Sequence, residues 1–409
     1  MAGEWTDVTL GDVARFDSGH RNSQDAVSGG KYPFFTCSQE ILRHSEFDFD
    51  TEAVIMAGNN AEARFHLQYF KGQFAARQRT YIITPSTPDL DCRFLYYAMH
   101  GLQSLFSAQA QGTTTKFVTI GILRNAAISL PPLGQQQAIA HSLGTLDDKI
   151  ELNRRMNETL EAVARTLFKS WFVDFDPVRA KAEGRDPGLP KHIAELFPDS
   201  FEDSELGEIP RGWEVKPLDE IARFLNGLAL QKYPPFGERS LPVIKIAQLR
   251  AGTIEGADRA SPGLEPAYIV HDGDILFSWS GSLECALWAS GPGALNQHLF
   301  KVTSDQYPKW LCYLGVHHHL EGFRHIAAGK ATTMGHIQRH HLSDAKLAIP
   351  PPSLLTALDV IFAPIIESTW RRTVESRTLA ALRYALLPKL ISGELRVKDA
   401  DRFTESVSA

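Results

Sequence analysis

The stretch Ile128–Asn157, ISLPPLGQQQAIAHSLGTLDDKIELNRRMN, changes its pattern partway along. Its first residues form a short apolar, strand-like segment that stops at Pro131-Pro132. After a glutamine-rich turn, apolar residues recur at alternating spacings of four and three, which is typical of a long helix that packs on another helix. Because proline cannot enter a helix interior, the two prolines end the strand and fix where the helix begins.

The same arrangement returns near residue 350, in LAIPPPSLLTALDVIF, and other segments repeat as well. WTDVTLGDVARFDSG (Trp5–Gly19) aligns without a gap with WEVKPLDEIARFLNG (Trp213–Gly227). Further pairs follow in the same order, at residues 72–84 with 291–303 and 111–133 with 328–352. Several matches in one order indicate a duplicated plan, in which a globular domain is followed by a long helix.

Short β-branched and aromatic runs alternate with polar and glycine-rich turns in each copy, which predicts an α+β fold of two tandem mixed α/β domains. Each domain is expected to precede a long helix, and the two helices to pack as an antiparallel coiled coil with pseudo-twofold symmetry. The predicted boundaries are a first domain at 1–134, its helix at 135–178, a connecting segment at 179–209, a second domain at 210–352, its helix at 353–396 and a tail at 397–409.

Each predicted helix carries an apolar stripe that turns polar in the middle. The residues expected to face the other helix are Ile150, Asn153, Asn157, Leu160 and Leu167 in the first, and Ile365, Arg372, Glu375, Leu379 and Leu386 in the second. In an antiparallel pair, Asn153 and Asn157 would face Arg372 and Glu375, which would cost stability but penalise shifted registers. Pro364 predicts a kink, or a helix that starts nearer Ile365. Helices of roughly 50–60 Å would suit a spacer, although an ordinary hairpin joining two domains remains the alternative.

The composition is that of a globular protein of two or three domains, with 409 residues, 43% hydrophobic and 22% charged. A net charge of −6 argues mildly against an evenly basic nucleic-acid binder, but it leaves room for local basic patches. No apolar run approaches the roughly 18 residues of a membrane span, and the N-terminus does not resemble a signal peptide. The four cysteines are far apart, which favours reduced thiols and a cytoplasmic location.

Motifs for catalysis are weak throughout. The sequence has no Walker-type phosphate loop and no H-E-x-x-H or C-x-x-C motif. His317–His319 and His340-His341 could suggest a metal, but neighbouring residues point in different directions on a helix or strand. We therefore expect a binding protein without a metal or cofactor of its own, rather than an enzyme.

The duplicated plan closely resembles the specificity subunit of type I restriction–modification systems. The resemblance rests on SLPPLGQQQ at the entry to the first helix, on Trp5…Leu10 and Gly212-Trp213…Leu218 at the domain starts, and on LLPKLISGELRV (Leu386–Val397). Gly112-Thr113-Thr114 matches a further motif, from which the second copy departs at residues 329–333. The resemblance covers nearly the whole chain.

The resemblance implies that each domain is a target-recognition domain for one half of a bipartite double-stranded DNA site, with the helices setting the gap. It also implies two methylation subunits, which carry S-adenosylmethionine, and restriction subunits, which use ATP. Two other hypotheses are a helical scaffold that recruits partners without recognising DNA, and an enzyme whose site has no recognisable motif.

Candidate DNA contacts are polar or basic residues on expected loops, since Arg and Lys recognise guanine, and Asn and Gln recognise adenine, in the major groove. They are Asn59, Asn60, Arg77, Arg79 and Lys116 in the first copy, and Lys245, Gln248, Trp279, Gln297, His298 and Lys330 in the second. For each of them, an ordinary solvated surface residue is the alternative interpretation.

Overall fold

The computed structural model describes residues 5–236, 239–329 and 335–397. The strands of the first domain are β1 Thr6–Thr9, β2 Ala14–Ser18, β3 Tyr32–Phe35, β4 Leu42–His44, β5 Phe49–Ala57, β6 Asn59–Asn60, β7 Leu67–Ala76, β8 Thr80–Pro85, β9 Lys116–Phe117 and β10 Ala127–Leu130. Its helices are α1 Leu10–Val13, α2 Cys92–Gly101, α3 Gln103–Gln109 and α4 Ile120–Arg124, and the first long helix is α5 Leu133–Phe172.

The remaining elements follow the first long helix. The helices are α6 Asp176–Ala182, α7 Lys191–Ala194, α8 Leu218–Ile221, α9 Ile246–Ala251, α10 Lys309–Ala328, α11 His340–Asp344 and the second long helix α12 Pro352–Ile391. The strands are β11 Phe201–Ser204, β12 Gly207–Pro210, β13 Glu214–Pro217, β14 Arg223–Asn226, β15 Leu241–Ile244, β16 Arg259–Ala260, β17 Ile269–Val270, β18 Ile275–Ser278, β19 Cys285–Leu287, β20 Gly293–Leu295, β21 Leu299–Thr303 and β22 Lys346–Ile349.

The chain forms two compact units, and each takes part of both long helices. The first unit comprises Met1–Lys149 with Leu379–Ala409, and the second comprises Ile150–Thr378. The α+β class, the two tandem domains and the long C-terminal helix are therefore confirmed, whereas supercoiling of the helices stays a prediction.

The first unit is built on a six-stranded sheet with the order β2-β8-β5-β7-β3-β4. β5 is its centre and lies antiparallel to both β7 and β8, while β7 continues into a parallel pairing with β3. α2 covers one face with Phe94, Leu95 and Met99, and the core there also takes Leu386 and Leu390 from α12. An apolar stripe at the end of the last helix thus completes the core of the first domain.

The second unit divides the same plan between two four-stranded sheets, with the orders β14-β21-β18-β19 and β16-β15-β20-β17. The parallel pair β15–β20 corresponds to β3–β7, and β14–β21–β18 corresponds to β2–β8–β5. α10 buries Trp310, Leu311 and Leu314 in a large core. The Trp310 indole stacks on Phe362 of α12 with ring centroids 4.5 Å apart, and its Nε1 donates to Asp359 Oδ1 at 2.9 Å.

The glutamines after Pro131-Pro132 explain where α5 begins. Gln136 is fully buried, and its Nε2 donates to the carbonyl oxygens of Pro131 and Asp89, each at 2.8 Å. Its Oε1 accepts from the Asp91 amide at 2.9 Å. One side chain therefore satisfies a carbonyl at the junction of strand and helix and joins it to two backbone groups of the loop before α2. The helix consequently starts at Leu133, two residues before the predicted boundary, and ends at Phe172 rather than 178.

Within the second unit, α5 and α12 contact each other in antiparallel order. Asn153 is fully buried, and its Nδ2 donates to Glu375 Oε2 at 2.8 Å and to Ser376 Oγ at 3.2 Å. Asn157 Nδ2 donates to Thr369 O at 2.9 Å and to Thr373 Oγ1 at 3.0 Å. Asn153 thus lies opposite Glu375, as expected, whereas Asn157 contacts Thr369 and Thr373, on either side of the predicted Arg372.

The buried stripe of α12 differs from the predicted one. The buried residues are Leu358, Phe362, Ile366 and Thr369, while Ile365, Arg372 and Leu379 are half-buried and Glu375 is exposed. The stripe is rotated because α12 packs on α10 as well as on α5, as the Trp310–Phe362 stack shows. In α5, Ile150, Leu160 and Leu167 are half-buried, and at the far end of α12 Leu386 is buried. α12 starts at Pro352, one residue before the predicted boundary, and ends at Ile391 rather than 396, so the alternative of a start near Ile365 is wrong.

The predicted connecting segment is partly a folded element of the second unit. α6 runs from Asp176 to Ala182, and β11 and β12 form a hairpin. Ile193, Phe197 and Ile209 are buried in the same core as Trp213. A polar, proline-rich composition concealed these anchors because a few apolar side chains, spaced along the segment, are enough to attach it.

Helix α12 is long and apolar enough, by composition, to cross a membrane, with an 18-residue window of mean hydropathy 1.3. This corrects the expectation that no segment comes near such a threshold. One third of that window is buried, and the buried side chains include Phe362 against Trp310. The apolar content of this helix therefore has a packing role within the protein.

Candidate nucleic-acid interface

A backbone frame at one edge of the first domain brings together most of its predicted DNA contacts. At the end of β5, the Gly58 amide donates to Arg79 O at 2.8 Å, and the Val118 amide donates to Gly58 O at 3.0 Å. β6 then pairs with β9, with Asn59 opposite Phe117 and Asn60 opposite Lys116. The turn after β7, which carries Arg77 and Arg79, therefore lies beside these strands.

The second domain has the same frame at the end of β18. The Trp279 amide donates to His298 O at 3.3 Å, and the Ile337 amide donates to Trp279 O at 2.9 Å. Ser280 forms a β-bridge with His336. Gly58 thus corresponds to Trp279, Arg79 to His298 and Phe117 to His336.

Two glycines explain why both copies keep this frame. A Cβ on Gly19 would lie 2.3 Å from Arg77 O, and a Cβ on Gly227 would lie 2.2 Å from Asn296 O. The amides of Gly19 and Gly227 donate to Thr80 O and Leu299 O, each at 3.0 Å. Only a residue without a side chain allows the first strand to approach the turn so closely, which accounts for the glycine that ends the repeated ARF-containing motif.

The edge of the first domain carries positive charge that the described residues do not neutralise. None of the described side chains forms an ion pair or hydrogen bond with the Arg77 or Arg79 guanidinium or the Lys116 amine. Asn60 Oδ1 accepts from the amides of Glu62 and Arg64, at 2.7 and 3.3 Å. The side chain of Phe117, 38% exposed, lies in the same strand as Lys116. Arg79 is exposed, and Arg77 and Lys116 are partly exposed. Such cations near an exposed aromatic side chain are suited to binding nucleic acid.

A partly buried ion pair supports the turn. Arg21 forms a bidentate pair with Asp48, with Nε–Oδ2 at 2.8 Å and NH2–Oδ1 at 2.7 Å. Burial opposes ionisation of Asp48, but the Arg21 guanidinium outweighs it and lowers the pKa of this carboxyl. The Arg21 carbonyl accepts from the Gln78 amide at 2.7 Å. Arg21, which is paired with Asp48, thus positions the turn. Arg77 and Arg79 on the turn keep their guanidinium groups available for a ligand.

Among the described residues, the turn at the edge of the second domain carries no lysine or arginine, and its side chains are more tightly bonded than those of the first. Trp279 Nε1 donates to Asn226 Oδ1 at 2.9 Å and to Gln297 O at 3.1 Å. His298 Nδ1 lies 3.0 Å from Ser280 Oγ, and its Nε2 lies 3.3 Å from Gln297 Nε2. Trp279, Gln297 and His298 are therefore brought together, with side chains that fix one another.

Lys245 and Gln248 lie at the start of α9, which follows β15. The carbonyl of Ile244 accepts from the Asn296 amide at 3.2 Å, so this helix starts beside the turn. The Lys245 amine pairs with Asp258, and Gln248 Oε1 accepts from the Lys245 amide at 3.4 Å. Lys245 is thus less available for a ligand than the cations of the first domain. The predicted contact Lys330 lies outside the described residues.

Sequence reasoning missed four members of these edges, namely Asn226, Ser280, His336 and Phe117. Asn226 precedes Gly227 in the repeated motif, and Ser280 follows Trp279. The alignment could have suggested Asn226, because Gly227 pairs with Gly19 between the copies, and Ser280 stands next to the predicted contact Trp279. The β-bridge that brings His336 to Ser280 joins residues 56 positions apart, and no local pattern predicts it.

Comparisons with known proteins agree with this duplicated arrangement. The family model for the type I restriction modification DNA specificity domain matches residues 2–162 and 210–354. The type I restriction enzyme HindI specificity subunit of Haemophilus influenzae is 26% identical over 343 residues, which cover 70% of this chain and 73% of that protein. The MjaIX specificity subunit of Methanocaldococcus jannaschii is 29% identical over 299 residues, covering 70% and 65%.

A third relative, the EcoDI specificity subunit of Escherichia coli, is 27% identical over 239 residues, which cover 55% of this chain and 50% of that protein. The crystal structure of a type I restriction–modification S subunit from M. genitalium matches with a TM-score of 0.59 and 16% identity, covering 95% of this chain and 96% of that one. This likeness concerns the fold. Since the family model matches both copies and more than half of the residues, the chain belongs to the type I restriction modification DNA specificity domain family.

Proposed function

We propose that this chain is the DNA-sequence-specificity subunit of a type I restriction–modification complex, in which each domain recognises one half of a bipartite double-stranded site. The observation that carries the proposal is the frame found twice, at β5–β8 and at β18–β21, with different side chains mounted on it. Two domains that share a backbone frame but carry different side chains on it are suited to recognising two different short sequences within one DNA target.

The side chains at the edges support direct recognition of bases. Arginine forms bidentate hydrogen bonds with guanine O6 and N7, and glutamine and asparagine form them with adenine. Arg79, Gln78 and Asn59 offer these groups in the first domain, and Gln297 offers one in the second. A scaffold without DNA recognition would not account for three cations that no described residue pairs with on one edge.

The long helices are proposed to set the gap between the half-sites and to dock two methylation subunits, with restriction subunits joining the assembly. Their outer faces expose apolar side chains that a partner could cover, including Leu152, Val163, Val360 and Tyr384. S-adenosylmethionine and ATP are proposed to bind the partner subunits, so this chain would contribute recognition rather than catalysis. The complex would act in the cytoplasm, where cellular DNA is accessible.

The decisive experiment is to express this chain with the methylation subunit from its own genome in a host without DNA methylation, and to map methylated adenines across the chromosome. A bipartite motif with a fixed gap is expected. A stable complex that methylates no defined motif would contradict the proposal and favour the scaffold hypothesis. The methylation subunit alone serves as the control, and it is expected to modify no bipartite motif.

A further inference from the structure

The turn between β7 and β8 holds an arginine in a backbone conformation that usually belongs to glycine. The Thr80 amide donates to Arg77 O at 3.0 Å, which closes a four-residue turn. The third residue, Arg79, has a φ of +66°. Because Gln78 lacks a positive φ and Arg79 has one, this is a type II turn, whose third position favours glycine or asparagine. The side chain of Arg79 is exposed, so no buried contact in the domain explains its presence.

The corresponding turn of the second domain links β20 to β21 and has the same closing bond. The Leu299 amide donates to Asn296 O at 3.0 Å. His298 occupies the third position, without the positive φ of Arg79. Its ring lies 5.7 Å from that of Trp279 and is held by Ser280.

The second position of each turn is glutamine, Gln78 in one domain and Gln297 in the other. The carbonyl of the third residue is fixed in both turns by the same bond, from the Gly58 or the Trp279 amide. The two edges therefore share the turn frame and the glutamine, and they differ at the third position. A strained non-glycine residue at an exposed edge indicates that the side chain itself is required there.

We propose that the third turn position, Arg79 in the first domain and His298 in the second, selects the base at one matching position of the two half-sites, with Arg79 selecting guanine. The inference rests on the proposed function and adds which residue of each domain discriminates between bases. The Arg79 guanidinium, which pairs with no side chain in the described part of the protein, offers two donors to guanine O6 and N7. His298 presents a smaller group, and its ring is held by Ser280 and Trp279.

The test uses the complex of the full chain with its methylation subunit, and it compares methylation motifs for Arg79→Gly, Arg79→His and His298→Arg. Arg79→Gly removes the side chain while keeping a residue that accepts a φ of +66°, so the thermal midpoint of the protein should stay unchanged or rise. Preference for guanine at one position of the first half-site should fall about tenfold or more. Arg79→His should alter the same position, and His298→Arg should alter only the second half-site.

Arg15→Ala is the matched control, because Arg15 is an exposed arginine of the same domain, at the far end of β2 from the turn, paired with Asp17. The methylation motif of the Arg15→Ala complex should equal that of the complex with the unmodified chain. A folded Arg79→Gly complex that keeps both half-sites unchanged would overturn the inference while leaving the proposed function intact. Absence of any bipartite motif with the unmodified chain would instead overturn the proposed function, and the inference with it.

Discussion

One glycine in each domain allows the first strand of the sheet to approach the turn at the candidate nucleic-acid interface. Gly19 and Gly227 lie where a strand passes a turn at a distance that excludes a Cβ. The requirement is close approach rather than a special φ, because neither glycine has a positive φ. The repeat in the sequence marks both positions, but only the fold shows what each one touches.

Gly227→Ala is expected to lower the free energy of unfolding by about 3 kcal/mol or more, because the new methyl group would overlap Asn296 O and Leu295 O. Gly322→Ala is the matched control, since Gly322 is exposed in α10 with no atom within 4 Å of the added Cβ. It should raise stability by about 0.5–1 kcal/mol. Chemical denaturation of the two variants measures both values, and a mild effect at Gly227 would show that the frame can adjust.

A partly buried histidine in α10 makes the free energy of unfolding depend on pH. Burial, with the positive charges of Arg165 and Arg324, lowers the pKa of His317 from 6.5 to about 4. Between these values the unfolded chain binds a proton that the folded chain does not, so stability falls as the pH drops from 6.5 toward 4. The loss at pH 5 should be about 1–2 kcal/mol from this group.

His317→Gln should reduce, without abolishing, the decrease in unfolding free energy between pH 7 and pH 5, because burial also lowers the pKa values of His100 and His319 to about 4. His325→Gln, at an exposed position of the same helix, should leave the slope unchanged. The readout is the slope rather than the absolute stability, so a general loss of packing does not imitate the effect. Equal slopes for the His317→Gln variant and the unmodified chain would contradict the assignment.

At the scale of elements, the start of a long helix depends on one side chain. Gln136 satisfies the Pro131 carbonyl at the junction between β10 and α5 and two backbone groups of the loop before α2, while the next residue, Gln137, is exposed. Gln136→Leu should cost about 3 kcal/mol, because it leaves one buried carbonyl and two part-buried backbone groups unpaired. Gln137→Leu should change stability by less than about 0.5 kcal/mol. Similar losses in the two variants, measured by denaturation, would show that the bonds of Gln136 are not what fixes the helix start.

The contact between the long helices includes a buried amide that is only half satisfied. Asn153 Nδ2 is bonded to Glu375 and Ser376, but among the described residues its Oδ1 has no partner. Asn153→Leu should therefore raise the free energy of unfolding by about 1 kcal/mol, at some loss of register specificity.

Asn153→Asp should have the opposite effect, since it places a second carboxylate against Glu375, and a loss of about 2 kcal/mol or more is expected at neutral pH. Thermal and chemical denaturation of the two variants compare them directly. If Asn153→Leu proved less stable than the unmodified chain, the asparagine would be a net stabilising residue and its role in register would need another explanation.

At the scale of the whole molecule, each folded unit contains residues from both halves of the duplicated sequence. The end of α12, from Leu379, belongs to the unit of the first domain, and α5 from Ile150 belongs to that of the second. Leu386 and Leu390 enter the first domain's core. Both helices are thus required for either unit to bury its apolar surface.

If the helices set the gap of a bipartite site, inserting four residues in each of them, after Glu151 in α5 and after Glu375 in α12, should widen the gap. Four residues add about 6 Å of helix, which corresponds to roughly two base pairs of DNA. Methylation mapping should show unchanged half-sites with a wider gap. A four-residue insertion in the exposed loop at Asp186 is the control and should leave the gap as it was, whereas altered half-sites in the helix variant would contradict a spacer role.

The sequence by itself determined the α+β class, the two tandem domains and the long terminal helix, because proline clusters, heptad spacing and duplicated motifs are local patterns with local causes. It also selected Arg79, Trp279 and His298 as candidates by residue type. The tertiary structure decided which residues share an edge, since the bonds from Gly58 to Arg79 and from Trp279 to His298 join distant segments. It also decided which face of α12 is buried, because α12 packs on both α5 and α10. The left-handed backbone conformation of Arg79 is likewise visible only in the structure, since no residue pattern predicts it.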